Sequence, residues 1–79
     1  MKKDHKEHPA DARSKWIIDN ANYFTAVRMI NRKWQRNEAR TLIDARAIAE
    51  EMLAKDNCKP VLIYAVHGES DTFVESIHP

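Results

Sequence analysis

Residues 23–40, YFTAVRMINRKWQRNEAR, decide the fold because this segment suits either a pair of strands or one helix. YFTAV is rich in β-branched and aromatic residues, NRKWQRN suits a turn, and EAR suits a short strand after it. On a helical wheel, however, five apolar or aromatic residues form one arc: Tyr23, Ala26, Val27, Ile30 and Trp34. Arginines recur at every fourth position of the same segment: Arg28, Arg32, Arg36 and Arg40. We favour strands, because the strands expected after residue 59 would make only a marginal sheet by themselves. A basic amphipathic helix is the alternative.

The next segment predicts the principal helix, over residues 42–55. Thr41 and Asp44 have the spacing of a capping box, in which the hydroxyl accepts a hydrogen bond from the amide three residues later. An apolar stripe then recurs at helical spacing: Ala45, Ile48, Ala49 and Met52. Asn57 suits a left-handed residue at the C-terminal end, and Pro60 prevents the helix from resuming.

Strands are expected on both sides of this helix. PVLIYAVHG, residues 60–68, is apolar until its last two residues and suits a strand buried on both faces, after which GESD turns the chain into TFVESI. Upstream, WII (residues 16–18) and the turn-prone DNAN predict a further strand and a hairpin. The sequence therefore predicts an α+β fold, an antiparallel sheet of three to five strands with one main helix packed on one face, in the order β-β-(β)-α-β-β. The predicted core is Ile17, Val27, Met29, Ala45, Ile48, Ala49, Met52, Leu62, Tyr64, Val66 and Phe73.

Length and composition limit the classes of protein that fit. The 79 residues make a single small domain, predicted over residues 14–79 after a flexible polar N-terminal arm of residues 1–13. Hydrophobic residues are 43% and charged residues 32% of the chain, which indicates a globular protein. The single cysteine, Cys58, excludes an internal disulfide and fits a reducing compartment. No apolar run suits a membrane span or a signal peptide, so we expect a cytoplasmic protein without membrane contact.

Charge is unevenly distributed along the chain. Residues 1–40 hold ten Lys/Arg and five Asp/Glu, a net +5, whereas residues 41–79 hold three and seven, a net −4. Residues 28–40 alone carry five cations and one acid around a tryptophan. Guanidinium groups with an interleaved indole could bind an acidic protein surface, or they could bind the phosphates and an unpaired base of a nucleic acid. A solvated turn without a partner has the same composition. The candidate partner-binding residues are Arg28, Arg32, Lys33, Trp34, Arg36 and Arg40.

Residue types that support catalysis or metal binding lack a complete arrangement in the sequence. His5 and His8 have a ligand-like spacing but no third or fourth ligand of known geometry. Cys58, Asp56 and His67 have the chemistry of a nucleophilic triad, but a chain with one glycine offers no Gly-rich loop for an oxyanion hole. Neither a Walker loop nor a GxGxxG motif occurs. We therefore predict no enzymatic activity, no catalytic residue, no cofactor and no metal.

These features predict a small interaction or regulatory module that docks on an acidic surface of a larger protein through residues 28–40. The alternative is a nucleic-acid-binding protein that uses the same arginines and tryptophan. The net charge of +1 and the lack of a known nucleic-acid-binding motif weigh against that alternative. A small core also suits a homodimer, formed by pairing of an edge strand or by burial of leftover apolar surface.

YFTAV followed by EARTLIDARAIAEE resembles the strand–T-L-x-[DE]-A–helix layout of many small bacterial and phage domains. Among them it is similar to the small phage proteins that inhibit host RNA polymerase. The resemblance covers under half of the chain and assigns no role to a single residue. It implies a second alternative function, that of a phage-type inhibitor of a host enzyme.

Overall fold

The structure, a computed structural model, describes residues 9–79, which form two helices and one four-stranded antiparallel sheet. Along the chain the elements are α1 (Pro9–Asp19), β1 (Tyr23–Ile30), β2 (Lys33–Ala39), α2 (Leu42–Lys55), β3 (Val61–His67) and β4 (Ser70–Ile77). The strand order across the sheet is β2-β1-β3-β4. The predicted α+β fold, with α2 as the main helix packed on the sheet, is confirmed. Neither helix in this part of the chain is long and apolar enough to cross a membrane.

Residues 23–40 form a β-hairpin, so the prediction of strands is confirmed and the helix alternative is wrong. Ile30 pairs with Lys33 across a two-residue turn, in which Asn31 and Arg32 have φ angles of 53° and 65°. Two successive left-handed residues are what a type I′ turn requires, and that turn matches the twist of the strands it joins. The turn is therefore shorter than NRKWQRN, and residues 34–37 lie within β2.

The predicted strand over residues 16–18 is wrong, because these residues lie in α1. At the end of α1 the backbone N–H and the Nδ2 of Asn20 both donate to the carbonyl oxygen of Trp16, at 3.0 and 2.9 Å. Ile17 is buried in the core beneath the sheet. Three apolar residues favour a strand only weakly. The helix is preferred here because it places Ile17 in the core.

The last five residues of the predicted N-terminal arm are helical. Residues 9–13 form the first turns of α1, and Pro9 stands at the first helical position. A proline suits that position because the N–H that it lacks would have no partner within the helix. Residues 1–8, the rest of the predicted arm, lie outside the described residues.

α2 has the predicted bounds but ends by a different device. Thr41 is its N-cap, and the Thr41 Oγ1 accepts a hydrogen bond from the Asp44 N–H at 3.1 Å. The predicted stripe is buried or half-buried: Ala45, Ile48, Ala49 and Met52. At the other end Asn57 is not left-handed; Asp56 has an extended backbone, and its N–H donates to the Met52 carbonyl at 3.1 Å.

The core lies between the two helices and one face of the sheet. Its buried residues are Ile17, Phe24, Ala26, Ala45, Ala49, Met52, Val61, Ile63 and Ala65. The predicted core is therefore right for its helical residues, but five predicted strand residues lie on the other face and are not buried: Val27, Met29, Leu62, Tyr64 and Phe73. Val66 is buried, but it lies on that other face. The error arises because β3 is apolar at both odd and even positions, and a shift of one residue exchanges the two faces.

Candidate functional site

The face of the sheet opposite the helices forms a shallow apolar groove. We call this surface the open face; its residues are Tyr23, Thr25, Val27, Met29, Trp34, Arg36, Glu38, Leu62, Tyr64, Val66, Asp71 and Phe73. The groove has a volume of about 340 Å³, with Val27, Leu62 and Val66 among its lining residues and Trp34 and Asp71 contributed by the two outer strands. Contiguous exposed apolar surface is uncommon on a small domain, so the open face is the candidate site.

Trp34 is the most exposed aromatic residue of the open face. It lies directly across from Met29 on β1, and the two side chains are 65% and 38% exposed. On the other side of the groove Tyr64 and Phe73 make an edge-to-face pair with ring centroids 5.8 Å apart, and Phe73 is 49% exposed. The open face therefore presents aromatic surface at both of its outer strands.

The charges of the open face nearly balance. Arg36 donates from Nη1 to Glu38 Oε2 at 2.7 Å, and both side chains are about half exposed. Hydrogen bonding to Glu38 and to Tyr23 raises the pKa of Arg36 above its ordinary value, so the guanidinium stays charged. With Asp71 on the far strand, the face carries one cation and two anions. It is an apolar surface with a small charge rather than a basic one.

The other exposed cations of the predicted cluster lie at the two ends of β2. Arg32 is in the type I′ turn and Lys33 begins the strand, whereas Arg40 follows its end. The seven residues of β2 separate the two groups by roughly 20 Å. No carboxylate of residues 12–79 forms an ion pair with any of the three.

Arg28, the remaining predicted cation, is 3% exposed and lies on the helix side of the sheet. Its guanidinium donates to the backbone carbonyls of Met52 and Asp56, at 2.8 and 2.6 Å, and to Gln35 Oε1 at 2.8 Å. The side chain is thus occupied in joining β1 to the end of α2, and we leave it out of the candidate surface. Its position, two residues after Ala26 and four after Phe24, is the sequence signal for this placement once the strand is known.

Of the residues considered for nucleophilic chemistry, Cys58 and Asp56 are in contact, but His67 is distant from both. Cys58 precedes β3 and His67 ends it, so the length of that strand, roughly 20 Å, separates them. The backbone N–H of Cys58 donates to Asp56 Oδ1 at 3.1 Å. Hydrogen bonding between the two side chains raises the pKa of the Cys58 thiol and lowers the pKa of Asp56, which disfavours a thiolate. His67 instead packs edge-on against Trp16, with ring centroids 4.6 Å apart.

Metal ligation has no counterpart in the described residues. Among residues 12–79, whose side chains the structure describes, no three His, Cys, Asp or Glu are grouped closely enough to hold an ion. His5 and His8, the spaced pair considered from the sequence, lie outside this range.

Comparison with known proteins adds no relative. No protein-family model matches the chain, and neither a curated protein nor a solved structure matches it. The open face and its neighbouring cations are therefore interpreted from their own chemistry.

Proposed function

We propose that this protein is a small non-enzymatic interaction module that docks on a larger protein through Trp34 and the cations beside it. The observation that carries the proposal is the 65% exposure of Trp34 on a face that neither described helix covers. A tryptophan of a monomeric domain usually covers its own core, whereas tryptophans at interface centres dominate binding energy.

The surface indicates the chemistry of the partner. Trp34 and Met29 suit an apolar pocket of the partner, while Arg32 and Lys33, at the turn that joins the two strands, suit an acidic rim around it. The near balance of charge on the open face itself favours a protein over a polyanion, because nucleic acid binding depends on a continuous run of cations.

The conformation of Arg32 supports a role for its charge. A type I′ turn favours glycine at its second position, and a non-glycine residue in the left-handed region costs about 1 kcal/mol. Arg32 occupies that position with φ 65°. A residue that is unfavourable for the fold at an exposed site is a reason to look for a function there.

Affinity capture from a cell lysate with matched variants tests the proposal. Trp34→Ala, and separately Arg32→Glu with Lys33→Glu, should lose a protein that the wild type retains. Lys15→Glu with Lys59→Glu changes the net charge equally at exposed positions outside the surface and should retain it. Retention by all three variants would overturn the proposal.

Nucleic acid binding is a second candidate because aromatic side chains stand on an open four-stranded sheet. Trp34, Tyr64 and Phe73 are suited to stacking with unpaired bases. Co-purified nucleic acid, seen as a raised ratio of absorbance at 260 nm to that at 280 nm and removed by high salt, would favour this candidate. Purification without nucleic acid, together with unquenched Trp34 fluorescence when a Trp16→Phe variant is titrated with single-stranded oligonucleotides, would exclude it.

The resemblance to phage inhibitors of RNA polymerase names one class of larger partner. If that enzyme is the partner, the purified protein should inhibit transcription in vitro, and Trp34→Ala should abolish the inhibition. Equal inhibition by the variant would separate any such activity from the proposed surface.

A further inference from the structure

β2 is an edge strand with unused backbone hydrogen-bonding groups. It pairs only with β1, and every residue from Lys33 to Glu38 is exposed. Because a two-residue turn makes Ile30 and Lys33 a hydrogen-bonded pair, alternate residues of β2 bond to β1. The N–H and C=O groups that point outward are those of Trp34, Arg36 and Glu38.

The opposite edge of the sheet is protected in the usual ways. A register shift in β4 leaves Val74 without a partner, which makes a β-bulge. Helix α1 also contacts this strand, where Arg13 donates to Ser70 Oγ at 3.0 Å and Thr72 Oγ1 donates to Ser14 Oγ at 2.7 Å. β2 has no bulge, proline or glycine, so it is the edge that is open to another strand.

We propose that a second copy of this chain pairs antiparallel with β2, with the twofold axis at Asn37. This register places residues whose backbone groups point outward opposite one another. Arg36 lies opposite Glu38 of the second copy, and by symmetry Glu38 lies opposite Arg36 of the second copy. Trp34 then lies opposite Arg40 of the second copy, where a guanidinium can contact the indole face. The ion pair that Arg36 and Glu38 form within one chain is replaced by two pairs between chains.

The charges select this register over its neighbours. An axis at Arg36 also matches outward-pointing residues, but it sets Arg36 opposite its own copy, and like charges directly opposed are destabilising. An axis at Gln35 sets Glu38 opposite Arg32, which lies in the turn outside the strand. The axis at Asn37 alone pairs opposite charges within β2 on both sides.

This dimer extends the sheet to eight strands and leaves the open face uncovered. It therefore goes beyond the proposed function, and the two surfaces share only Trp34, which lies where the open face meets the edge of the sheet. Of the variants that test docking, Arg32→Glu with Lys33→Glu leaves the residues paired in this interface unchanged, whereas Trp34→Ala also removes the contact with Arg40, so the charge variant is the one that separates docking from dimerisation.

Charge exchange tests the interface. Sedimentation equilibrium over a concentration series should show a monomer–dimer equilibrium for the wild type. Arg36→Glu and Glu38→Arg each set like charges opposite one another at two positions, and each should raise the Kd about tenfold or more. An equimolar mixture of the two variants restores opposite charges at both positions and should dimerise at least as well as the wild type. A monomeric wild type, or a mixture no better than its components, would overturn the proposal.

Cross-linking tests the register with substitutions at exposed positions. Asn37 and its copy form a pair without backbone hydrogen bonds, in which the Cα atoms lie about 4.5 Å apart, within reach of a disulfide. Asn37→Cys in a Cys58→Ser background should therefore oxidise to a covalent dimer. Gln35→Cys is the control, because the two copies are displaced by about 13 Å along the strand and lie beyond disulfide reach. Equal cross-linking of both variants, or of neither, would contradict the register.

Discussion

At the scale of single residues, Arg28 is a buried cation that completes the end of a helix. It forms no ion pair with a carboxylate of residues 12–79, and its guanidinium instead donates to carbonyls at the C-terminal end of α2. Those carbonyls carry the negative end of the helix dipole, so the charge is compensated without an acid. The sequence could not reveal this role, because Arg28 looks like one of four evenly spaced arginines until the strand and its register are known.

Replacement of Arg28 should destabilise the protein although it removes a charge from the interior. Arg28→Met removes the guanidinium donors of the Asp56 carbonyl and of Gln35 Oε1 and one of the two donors of the Met52 carbonyl, and should lower the free energy of unfolding by about 3 kcal/mol. Arg28→Lys keeps the charge but loses the forked geometry, so its loss should be smaller. Urea denaturation measures both variants. A loss below about 1 kcal/mol for Arg28→Met would mean that water replaces the guanidinium at these carbonyls.

Arg32 should show the reverse behaviour, since its conformation is unfavourable for stability. Arg32→Gly removes the strain of a left-handed residue and should stabilise the protein by about 1 kcal/mol, which corresponds to a rise in Tm of roughly 4–8 °C. Asn31→Gly is the matched control and should change the Tm less, because asparagine tolerates this conformation. If Arg32→Gly does not raise the Tm, the turn adjusts its backbone enough to accommodate the arginine without strain.

At the scale of secondary-structure elements, α2 could be predicted because its signals are local. The cap, the apolar stripe and the following proline all lie within twenty residues. In the structure the cap and the stripe are as predicted, but the C-terminal end is formed by an extended Asp56 rather than by a left-handed Asn57. That end depends on Arg28, which is 24 residues away from the Met52 carbonyl that it binds. Local pattern therefore predicts where the helix begins better than it predicts how the helix ends.

The cap of α2 should contribute measurably to stability. Thr41→Ala removes the oxygen that accepts the Asp44 N–H and should cost on the order of 1 kcal/mol. Thr41→Ser keeps that oxygen and should cost little. Thermal melts that show the same Tm for Thr41→Ala and Thr41→Ser would mean that water satisfies the amide equally well.

The two faces of the sheet could not be assigned from the sequence. β3 has an apolar or aromatic residue at every position from Val61 to Val66. The sequence therefore does not show whether its odd-numbered or its even-numbered residues face the core. The decision depends on which side of the sheet α1 and α2 cover. Replacement of neighbouring residues tests the assignment that the structure makes.

Ile63 and Leu62 are adjacent in β3 but lie on opposite faces. Ile63 is fully buried beneath the helices, and Ile63→Ala should cost about 2–5 kcal/mol and leave so small a domain largely unfolded. Leu62 is half-buried on the open face, and Leu62→Ala should cost clearly less. Chemical denaturation of the two variants gives the comparison. A greater loss for Leu62→Ala would mean that the open face is covered in solution.

At the scale of the whole molecule, the fold class followed from the sequence but the surface did not. Trp34 and its cations were recognisable as a cluster by composition alone. The structure divides that cluster four ways: Arg28 joins the interior, Arg32 and Lys33 lie at the turn, Trp34 and Arg36 lie on the open face, and Arg40 lies at the far end of β2. Only strand register separates these roles, and register depends on contacts between distant segments.

Trp34→Ala tests whether the indole binds a partner or stabilises the fold. A side chain that is 65% exposed buries little of its own surface in the fold, so the substitution should change the free energy of unfolding by less than about 1 kcal/mol. Loss of an interface anchor should weaken capture of a partner by about 2 kcal/mol or more, at least a tenfold loss of affinity. Trp16→Ala is the control, because Trp16 is 52% exposed but packs against His67 away from the open face. That variant should keep the partner and lose some stability. A loss of about 3 kcal/mol or more in the stability of Trp34→Ala would instead mean that the indole folds over the sheet and serves the fold.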